Sequence, residues 1–234
     1  MIKGKLYLIP IPIAEDSLAV IPEQVIEILK PLEHFVVEDI RTARRYLSSL
    51  KIFQSIESLH FQVLNKDTKE SELSQLLMPL EEGKSMGVIS ESGCPGVADP
   101  GALAAKYAHQ NNITVVPLIG PSSILLALMA SGLNGQQFAF HGYLPVDAKE
   151  AGLKIKELER ESKLKNQTQI FIETPYRNNS VFDHFTKALH PDTLLTVAID
   201  ITGKNESIKT KKISHWKGEK NTWAKNPAVF LFLA

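Results

Sequence analysis

The stretch Ser90-Glu91-Ser92-Gly93-Cys94-Pro95-Gly96-Val97-Ala98-Asp99-Pro100-Gly101 leaves an apolar run and enters a helical one. Its glycines and prolines set a tight backbone that can approach a ligand closely. In open α/β sheets, ligands bind beyond the carboxyl ends of strands. An ordinary long loop explains the same residues. A second turn, Gly120-Pro121-Ser122-Ser123, also joins a strand to a helix. Ser122 or Ser123 can cap that helix. The same hydroxyls and amides can hold a carboxylate or a ribose hydroxyl, although capping alone satisfies them.

Charged groups supply the remaining candidates. In Glu38-Asp39-Ile40-Arg41-Thr42-Ala43-Arg44-Arg45, Asp39 is placed to cap a helix. Arg41, Arg44 and Arg45 fall on one face at i, i+3 and i+4. Three cations near a helix N-terminus oppose the macrodipole, so phosphate binding is one use for them. Pairing with Glu38 and Glu33 is the other. Glu173-Thr174-Pro175-Tyr176-Arg177 puts a carboxylate at a strand end, as acid, base or acceptor, or as half of a surface ion pair with Arg177. Lys204, Lys209, Lys211, Lys212, Lys217 and Lys220, with Trp216 and Trp223 nearby, have the look of a nucleic-acid patch; a solvated edge strand fits them as well. Cys94 is read as a small packed residue rather than a nucleophile.

Short apolar runs alternating with helical patterns must position these groups. Leu6 to Ile13 is extended and ends at Pro10 and Pro12. Phe35–Val37, Met86–Ile89, Ile113–Val116, Phe138–Leu144, Ile170–Ile172, Leu194–Ile199 and Val229–Leu233 read as strands, and Ser207–Ile213 as an edge strand. Helical stripes run through Val25-Ile26-Leu29-Leu32, Ala43-Tyr46-Leu47-Leu50, Leu73-Leu76-Leu77-Leu80 and Val181-Phe182-Phe185-Leu189. Lys149–Lys165 is a charged, exposed helix. Asp99-Pro100 is a helix start, with Asp as cap and Pro at the first position. Ile124–Leu133 is apolar on nearly every side, which predicts a helix buried all round. Strand–helix alternation predicts α/β layers with largely parallel sheets. A junction falls near Pro117 to Pro121, giving domains 1–117 and 118–234.

Of the 234 residues, 44% are hydrophobic and 22% charged, the mix of a globular chain rather than a disordered one. One cysteine excludes an internal disulfide and points to a reducing cytoplasm. Lys+Arg and Asp+Glu are 26 each, which argues against a protein that coats nucleic acid indiscriminately. No run reaches the ~20 apolar residues of a membrane span, and the N-terminus lacks a signal-peptide core. The phosphate loop, GxGxxG, the GxSxG elbow and zinc-ligand spacing are all missing.

Taken in order, the motifs resemble the tetrapyrrole methylase superfamily, and within it the ribosomal RNA small subunit methyltransferase I family, which methylates a ribose 2′-hydroxyl. The residues that carry the resemblance are Leu6 to Ile13, Glu38-Asp39-Ile40-Arg41 with Arg44, Gly93 to Gly101, Gly120-Pro121-Ser122 through Leu133, Gly142-Tyr143-Leu144-Pro145 and Glu173 to Arg177. The chain departs from the family pattern at Ala14, Glu15, Ile40, Thr42, Ala43 and Tyr176, has no good copy of a polar segment around His60 to Asp67, and stops after the last core strand where the family carries an extension.

The resemblance implies two α/β domains of the tetrapyrrole methylase type, with S-adenosylmethionine in the cleft between them, and a homodimer. It implies cofactor contacts at Ile11, Pro12, Gly93, Cys94, Val97, Ser122, Ser123, Ile124, Ile172 and Ile199, mostly through backbone. Chemistry would be an in-line attack on the sulfonium methyl without metal. Glu173, Glu38 and Asp39 are candidates for proton removal, and Arg41 and Arg44 for RNA phosphate. Methylation of a tetrapyrrole or other small molecule, or a cofactor- or RNA-binding protein with weakened catalysis, remain alternatives to RNA methylation.

Overall fold

A computed structural model describes residues 2–14, 17–216, 218, 223 and 226–234; Glu15, Lys217 and Lys220 lie outside the described residues. The chain divides into two compact units, Met1–Ser122 and Ser123–Ala234. The turn 118–122 stays with the first unit because Leu118 N donates to Leu8 O at 3.1 Å and Gly120 lies against Pro10.

Unit 1 runs β1 (Lys5–Leu8), α1 (Glu23–Leu29), β2 (His34–Val37), α2 (Ile40–Ser49), β3 (His60–Val63), α3 (Leu73–Leu76), α4 (Met78–Glu81), β4 (Met86–Ile89), α5 (Gly101–Gln110) and β5 (Thr114–Pro117). Its described strands form one sheet in the order β3-β2-β4-β1-β5, parallel at every pairing. Side-chain alternation sends Phe35 and Val37 to one face and Val36 to the other. The first face packs on Val25, Leu29, Tyr46 and Leu47 from α1 and α2. The second packs on Leu73, Leu77, Ala104 and Ala108. A sheet covered on both faces needs strands that are apolar throughout, which is why Met86-Gly87-Val88-Ile89 is buried at every position.

Unit 2 runs α6 (Ser123–Ser131), β6 (Phe138–Phe140), α7 (Ala148–Lys165), β7 (Thr168–Glu173), α8 (Asn178–Ala188), β8 (Leu194–Ile199), β9 (Ser207–Lys212), α9 (Ile213–Trp216) and β10 (Ala228–Leu233). The strand order is β6-β7-β10-β8-β9. Only β6 and β7 pair in parallel; β10 lies antiparallel between β7 and β8, and β9 antiparallel to β8. A largely parallel sheet was expected here. The link 200–206 is too short for a parallel crossover, so β9 must return antiparallel. An aromatic core of Phe171, Phe182, Phe185, Phe230, Phe232 and Trp216 fills the face under α7 and α8.

Other expectations change locally. The stripe Leu73 to Leu80 is two short helices, α3 and α4, because Pro79 has no amide for a continuous ladder and its ring clashes one turn back. The regular turns of α5 begin at Gly101, but Pro100 already has helical φ −69° and ψ −8°, and Asp99 accepts from Gly101 N at 2.7 Å, so Asp99 caps the helix with Pro100 at its first position, as expected. Strand β6 stops at Phe140, and Gly142 follows with φ +69°, where a strand through Leu144 was expected. Helix α6 is not buried all round: Leu125 is 51% and Met129 78% exposed on one face. The lysine segment is an edge strand, since β9 pairs only with β8 among the described strands. Lys212 pairs with Asp192 at 2.9 Å and Lys211 lies over the Trp216 ring at 4.9 Å. Trp216 is itself core, its Nε1 donating to Leu195 O at 2.9 Å.

Candidate active site

In unit 1 the connections that leave the carboxyl ends of β1, β4 and β5 are knitted together. Ile9 N donates to Val88 O and Ile11 N to Gly93 O, each at 2.9 Å, so Ile11 and Gly93 form an isolated antiparallel bridge past the end of the sheet. Prolines at 10 and 12 have no amides, so they stop the strand and leave Ile11 as the single rung between them. Gly93 has φ +67°, and a Cβ there would lie 3.3 Å from Pro121 O. At Gly120 a Cβ would lie 2.1 Å from Pro10 Cβ and 2.3 Å from its Cγ, so only glycine lets the third loop close on the first. The Cys94 thiol donates to Pro121 O at 3.3 Å and Gly120 O at 3.7 Å. Burial, followed by the charge of Asp99, holds the Cys94 thiol above its ordinary value, which suits packing and not nucleophilic attack.

Asp99, the expected helix cap, also closes the long loop. Its carboxylate accepts from Gly96 N at 2.9 and 3.0 Å and from Gly101 N at 2.7 Å. Gly96 at φ +86° and Ala98 at φ +62° turn the chain within that clasp. Val97 at its tip is 50% exposed, and Ile119 on the neighbouring turn is 74% exposed. Tyr46 on α2 ties down Pro10 by donating to its carbonyl at 3.3 Å. Neither Asp99's clasp nor Tyr46's tether was visible in the sequence, although Asp two residues before Gly is an Asx-turn signal.

The acidic corner follows β2. Asp39 is the cap of α2, accepting from Thr42 N at 2.7 Å, and that bond holds its carboxyl below the ordinary value. Glu38 is different. Burial pushes its carboxyl above the ordinary 4.5; Glu91, Asp99 and Asp39 act in the same direction, against a lowering hydrogen bond from Glu91 N at 3.3 Å. Two adjacent acids thus carry opposite shifts, the arrangement that separates a structural carboxylate from one able to exchange a proton. Arg41 and Arg44 are exposed on α2. The Arg44 guanidinium lies 5.4 Å from the centre of the Phe61 ring.

In unit 2, Ser123 and Ile124 form the first turn of α6. Glu173, Ala228 and Ile199 share one rung across β7, β10 and β8, so Glu173 and Ile199 stand at the same end of the sheet. Ile172, one residue back, faces the other side, and its amide donates to Gly142 O at 2.9 Å. Glu173 is not the half of a surface ion pair. Its side chain is 1% exposed, Arg177 Nη1 stands 3.4 Å from Oε2, and Thr174 donates to Oε1 from its amide at 2.8 Å and its hydroxyl at 3.2 Å. Arg177 also donates through Nη2 to Leu144 O at 3.2 Å and Pro145 O at 3.1 Å. The pair is a strut that fastens the 144–145 turn to the end of β7. Directly after Ile199, Asp200 and Thr202 both have positive φ, 52° and 66°. Strained non-glycine residues gather where a site demands a shape; sequence reading passed over this turn.

Among the described residues no group of acids, histidines and cysteine is arranged to hold a metal ion, and no helix is long and apolar enough to cross a membrane. No family model matches the chain. Among solved structures, it is similar to the methyltransferase CobJ (TM-score 0.65, 16% identity, 98% of this chain and 94% of that one). It is also similar to uroporphyrin-III-C-methyltransferase from Thermus thermophilus (TM-score 0.58, 16% identity, 98% and 92%). These likenesses show the fold: α/β, of the tetrapyrrole methylase type. Among curated proteins, it is 29% identical over 230 residues to ribosomal RNA small subunit methyltransferase I of Vibrio cholerae, covering 97% of this chain and 76% of that one. With the Escherichia coli O157:H7 protein of the same name, identity is 28% over 223 residues, 95% and 73% of the two chains. The Bacillus subtilis protein of that name is 33% identical over 218 residues, 93% of this chain and 70% of its own. An identity of that size, over a length that must include most of both units, makes this chain a methyltransferase that belongs to the ribosomal RNA small subunit methyltransferase I family.

Proposed function

We propose that the protein methylates RNA, at a ribose 2′-hydroxyl of small-subunit ribosomal RNA, using S-adenosylmethionine. The observation that carries this reading is the 33% identity to a ribosomal RNA small subunit methyltransferase I over 93% of the chain. The two units are taken as its two domains. Homodimerisation and a cytoplasmic setting belong to the same reading, the former checked by light scattering.

The loop cluster of unit 1 fits such a cofactor. Gly93 and Gly120 let three loops close on one another at the carboxyl ends of the strands, and Val97 and Ile119 on those loops present exposed apolar surface. Ile11, Pro12, Gly93, Cys94, Val97 and Ser122 would hold it from this unit. Ser123, Ile124, Ile172 and Ile199 would hold it from the other. When bound, it supplies a sulfonium methyl that an oxygen nucleophile takes in line. The chain's own task is alignment, which can lower a barrier by several kcal/mol. The proton of the attacking hydroxyl must leave as the O–C bond forms, and Glu38, raised toward neutrality by burial and acidic neighbours, is the carboxylate best poised to accept it. Asp39 is occupied as a cap and Glu173 as a strut. Arg41 and Arg44 would bind phosphate.

Transfer of labelled methyl from S-adenosylmethionine to small-subunit particles or their RNA, with ribose-methylation mapping of total RNA from strains with and without the gene, tests the reading. Loss of one ribose methyl in the deletion strain, restored by the purified enzyme, is expected. Cofactor binding without any RNA product, or turnover of a porphyrinoid instead, overturns it.

A further inference from the structure

Beside α2, the helix and residues 50–57 line an open groove of about 510 Å³. That is ample for one nucleotide. Most of its exposed lining is polar; Leu47 is buried, and Phe53 and Ile56 are half-buried within it. Its rim is charged and exposed: Arg44, Arg45 and Lys51 supply cations, and Glu57 one carboxylate. Arg44 lies within α2, and Lys51 follows the end of that helix. The cation–π contact with Phe61 orients the Arg44 fork without consuming an N–H.

Two details argue that this is more than a charged surface. Lys51 has φ +54°, directly after the end of α2. Glycine is the usual residue at such a position, so a lysine there brings its ammonium to the rim in a conformation that glycine would adopt more easily. Glu57 is fixed by Ser55, whose hydroxyl donates to the carboxylate and accepts from the Glu57 amide at 3.2 Å. That hydroxyl holds the Glu57 carboxyl below its ordinary value, with the Arg44 charge a smaller contribution, so it is an acceptor at neutral pH. A site for phosphate alone would be weakened by this carboxylate. An unstacked nucleotide meets groups of both signs here: an exocyclic amine donates to the Glu57 carboxylate, the phosphate meets the cations, and Phe53 is the one aromatic side chain in the lining.

We propose that this groove takes one unstacked nucleotide of the RNA substrate, distinct from the one that is methylated and carrying an amine on its base. The proposal rests on the RNA methylation reading above. It gives the strand a second anchor on unit 1, so that affinity for RNA is set partly outside the reaction centre.

The test uses the full-length enzyme, with the KM for small-subunit ribosomal RNA, anisotropy of a labelled single-stranded oligonucleotide, and calorimetry with S-adenosylmethionine. Lys51→Gly relieves the left-handed strain while removing a cation. Its Tm is expected to equal or exceed the wild type's, its cofactor Kd to stay within twofold, and its KM for RNA to rise at least fivefold. The slope of log affinity against log salt should fall by about 0.7, as for one lost contact to a single strand. Glu57→Lys separates a nucleotide pocket from simple charge: affinity is expected to fall, whereas tighter RNA binding overturns the proposal in favour of unspecific attraction. An unchanged RNA KM in Lys51→Gly, with wild-type methylation intact, overturns the pocket and leaves the function standing. A wild type that neither binds nor methylates RNA overturns both.

Discussion

The loop cluster of unit 1 and the strand end of unit 2 do the same mechanical job with different chemistry. In unit 1, Ile11, Gly93 and Gly120 hold three connections together by backbone fit, with a bridge, a missing Cβ and a thiol aimed at two carbonyls. In unit 2, the buried Glu173 and the half-buried Arg177 hold the 144–145 turn by charge. Backbone fit leaves amides and carbonyls available to a ligand and tolerates change of side chain. A charge strut does neither. Unit 1 should therefore depend on shape at its loop cluster, and unit 2 on ionisation at its strand end. Both tryptophans, Trp216 and Trp223, belong to unit 2, so fluorescence reads that unit, while amide exchange in β1 and β5 reads the first.

The sharpest break is Gly120→Ala. The added methyl would sit on the Pro10 ring, a group with no rotamer to move aside. Overpacking of this kind typically costs 1–3 kcal/mol, and with so short a contact a loss of about 3 kcal/mol is expected. Faster exchange of β1 and β5 amides and at least tenfold weaker binding of S-adenosylmethionine should accompany it. Wild-type cofactor affinity in this variant would mean that the three loops need not touch.

Next is Arg177→Met. Removing one partner of a buried pair costs 3–5 kcal/mol, and the partial exposure of Arg177 reduces this to about 2–3 kcal/mol. The midpoint of tryptophan fluorescence in urea should fall accordingly. Adding Glu173→Gln should recover much of the loss, because it removes the stranded charge while Thr174 still has an acceptor. Failure of the second change to help would show that the arginine acts through the Leu144 and Pro145 carbonyls alone.

The contrast between the units also explains what could be read from the sequence. Glycines and prolines report backbone geometry directly, so the loops at 93–101 and 120–123 were legible as turns between strand and helix, and the parallel sheet of unit 1 followed from its apolar strands. Asp39 was legible as a cap because its partner is three residues away. The burial of Glu173 was not, since a strand-end glutamate looks the same whether buried or exposed, and its partner Arg177 is held by the carbonyls of Leu144 and Pro145, more than 30 residues back. The antiparallel insertion of β10 was equally hidden: Val229 to Leu233 is apolar in either orientation, and pairing direction is set by connections rather than composition. The exposed ridge of α6, Leu125 and Met129, shows the converse failure, where an all-apolar pattern implied burial that the described chain does not provide.

A smaller effect separates the two acids of the β2 corner. Asp39→Ala removes a helix cap worth ~1 kcal/mol at neutral pH. The sign with pH follows from its lowered pKa. The folded state binds fewer protons than the unfolded one near and below the ordinary 3.8, so its contribution is full above that pH and disappears as pH falls through the folded pKa. Glu38 has the opposite sign: its raised pKa means the folded state holds the proton longer, so stability declines as pH rises from 4.5 through the folded pKa. Stability curves of Asp39→Ala and Glu38→Gln should thus diverge from wild type in opposite directions between pH 3 and 7. Parallel curves would remove the case for assigning the two carboxylates different roles.

The smallest expected effect tests the backbone side of the comparison most directly. If the unit 1 cluster works through main-chain groups, the identity of its one reactive-looking side chain should hardly matter. Cys94 donates to Pro121 O and Gly120 O from a half-buried position, and its thiol is held protonated. Cys94→Ser keeps a donor of nearly the same reach, and a hydroxyl makes the better hydrogen bond. The lost burial of sulfur and the gained bond should nearly cancel, leaving stability within about 0.5 kcal/mol, as for substitutions that break no partner. Cofactor affinity should stay within threefold, and methyl transfer should survive. Thiol alkylation of the wild type should be slow at neutral pH for the same reason, and should block cofactor binding by bulk once forced. Loss of transfer in Cys94→Ser with cofactor binding intact would assign the thiol a chemical role, and the claim that backbone shape governs this unit would then fail at its centre.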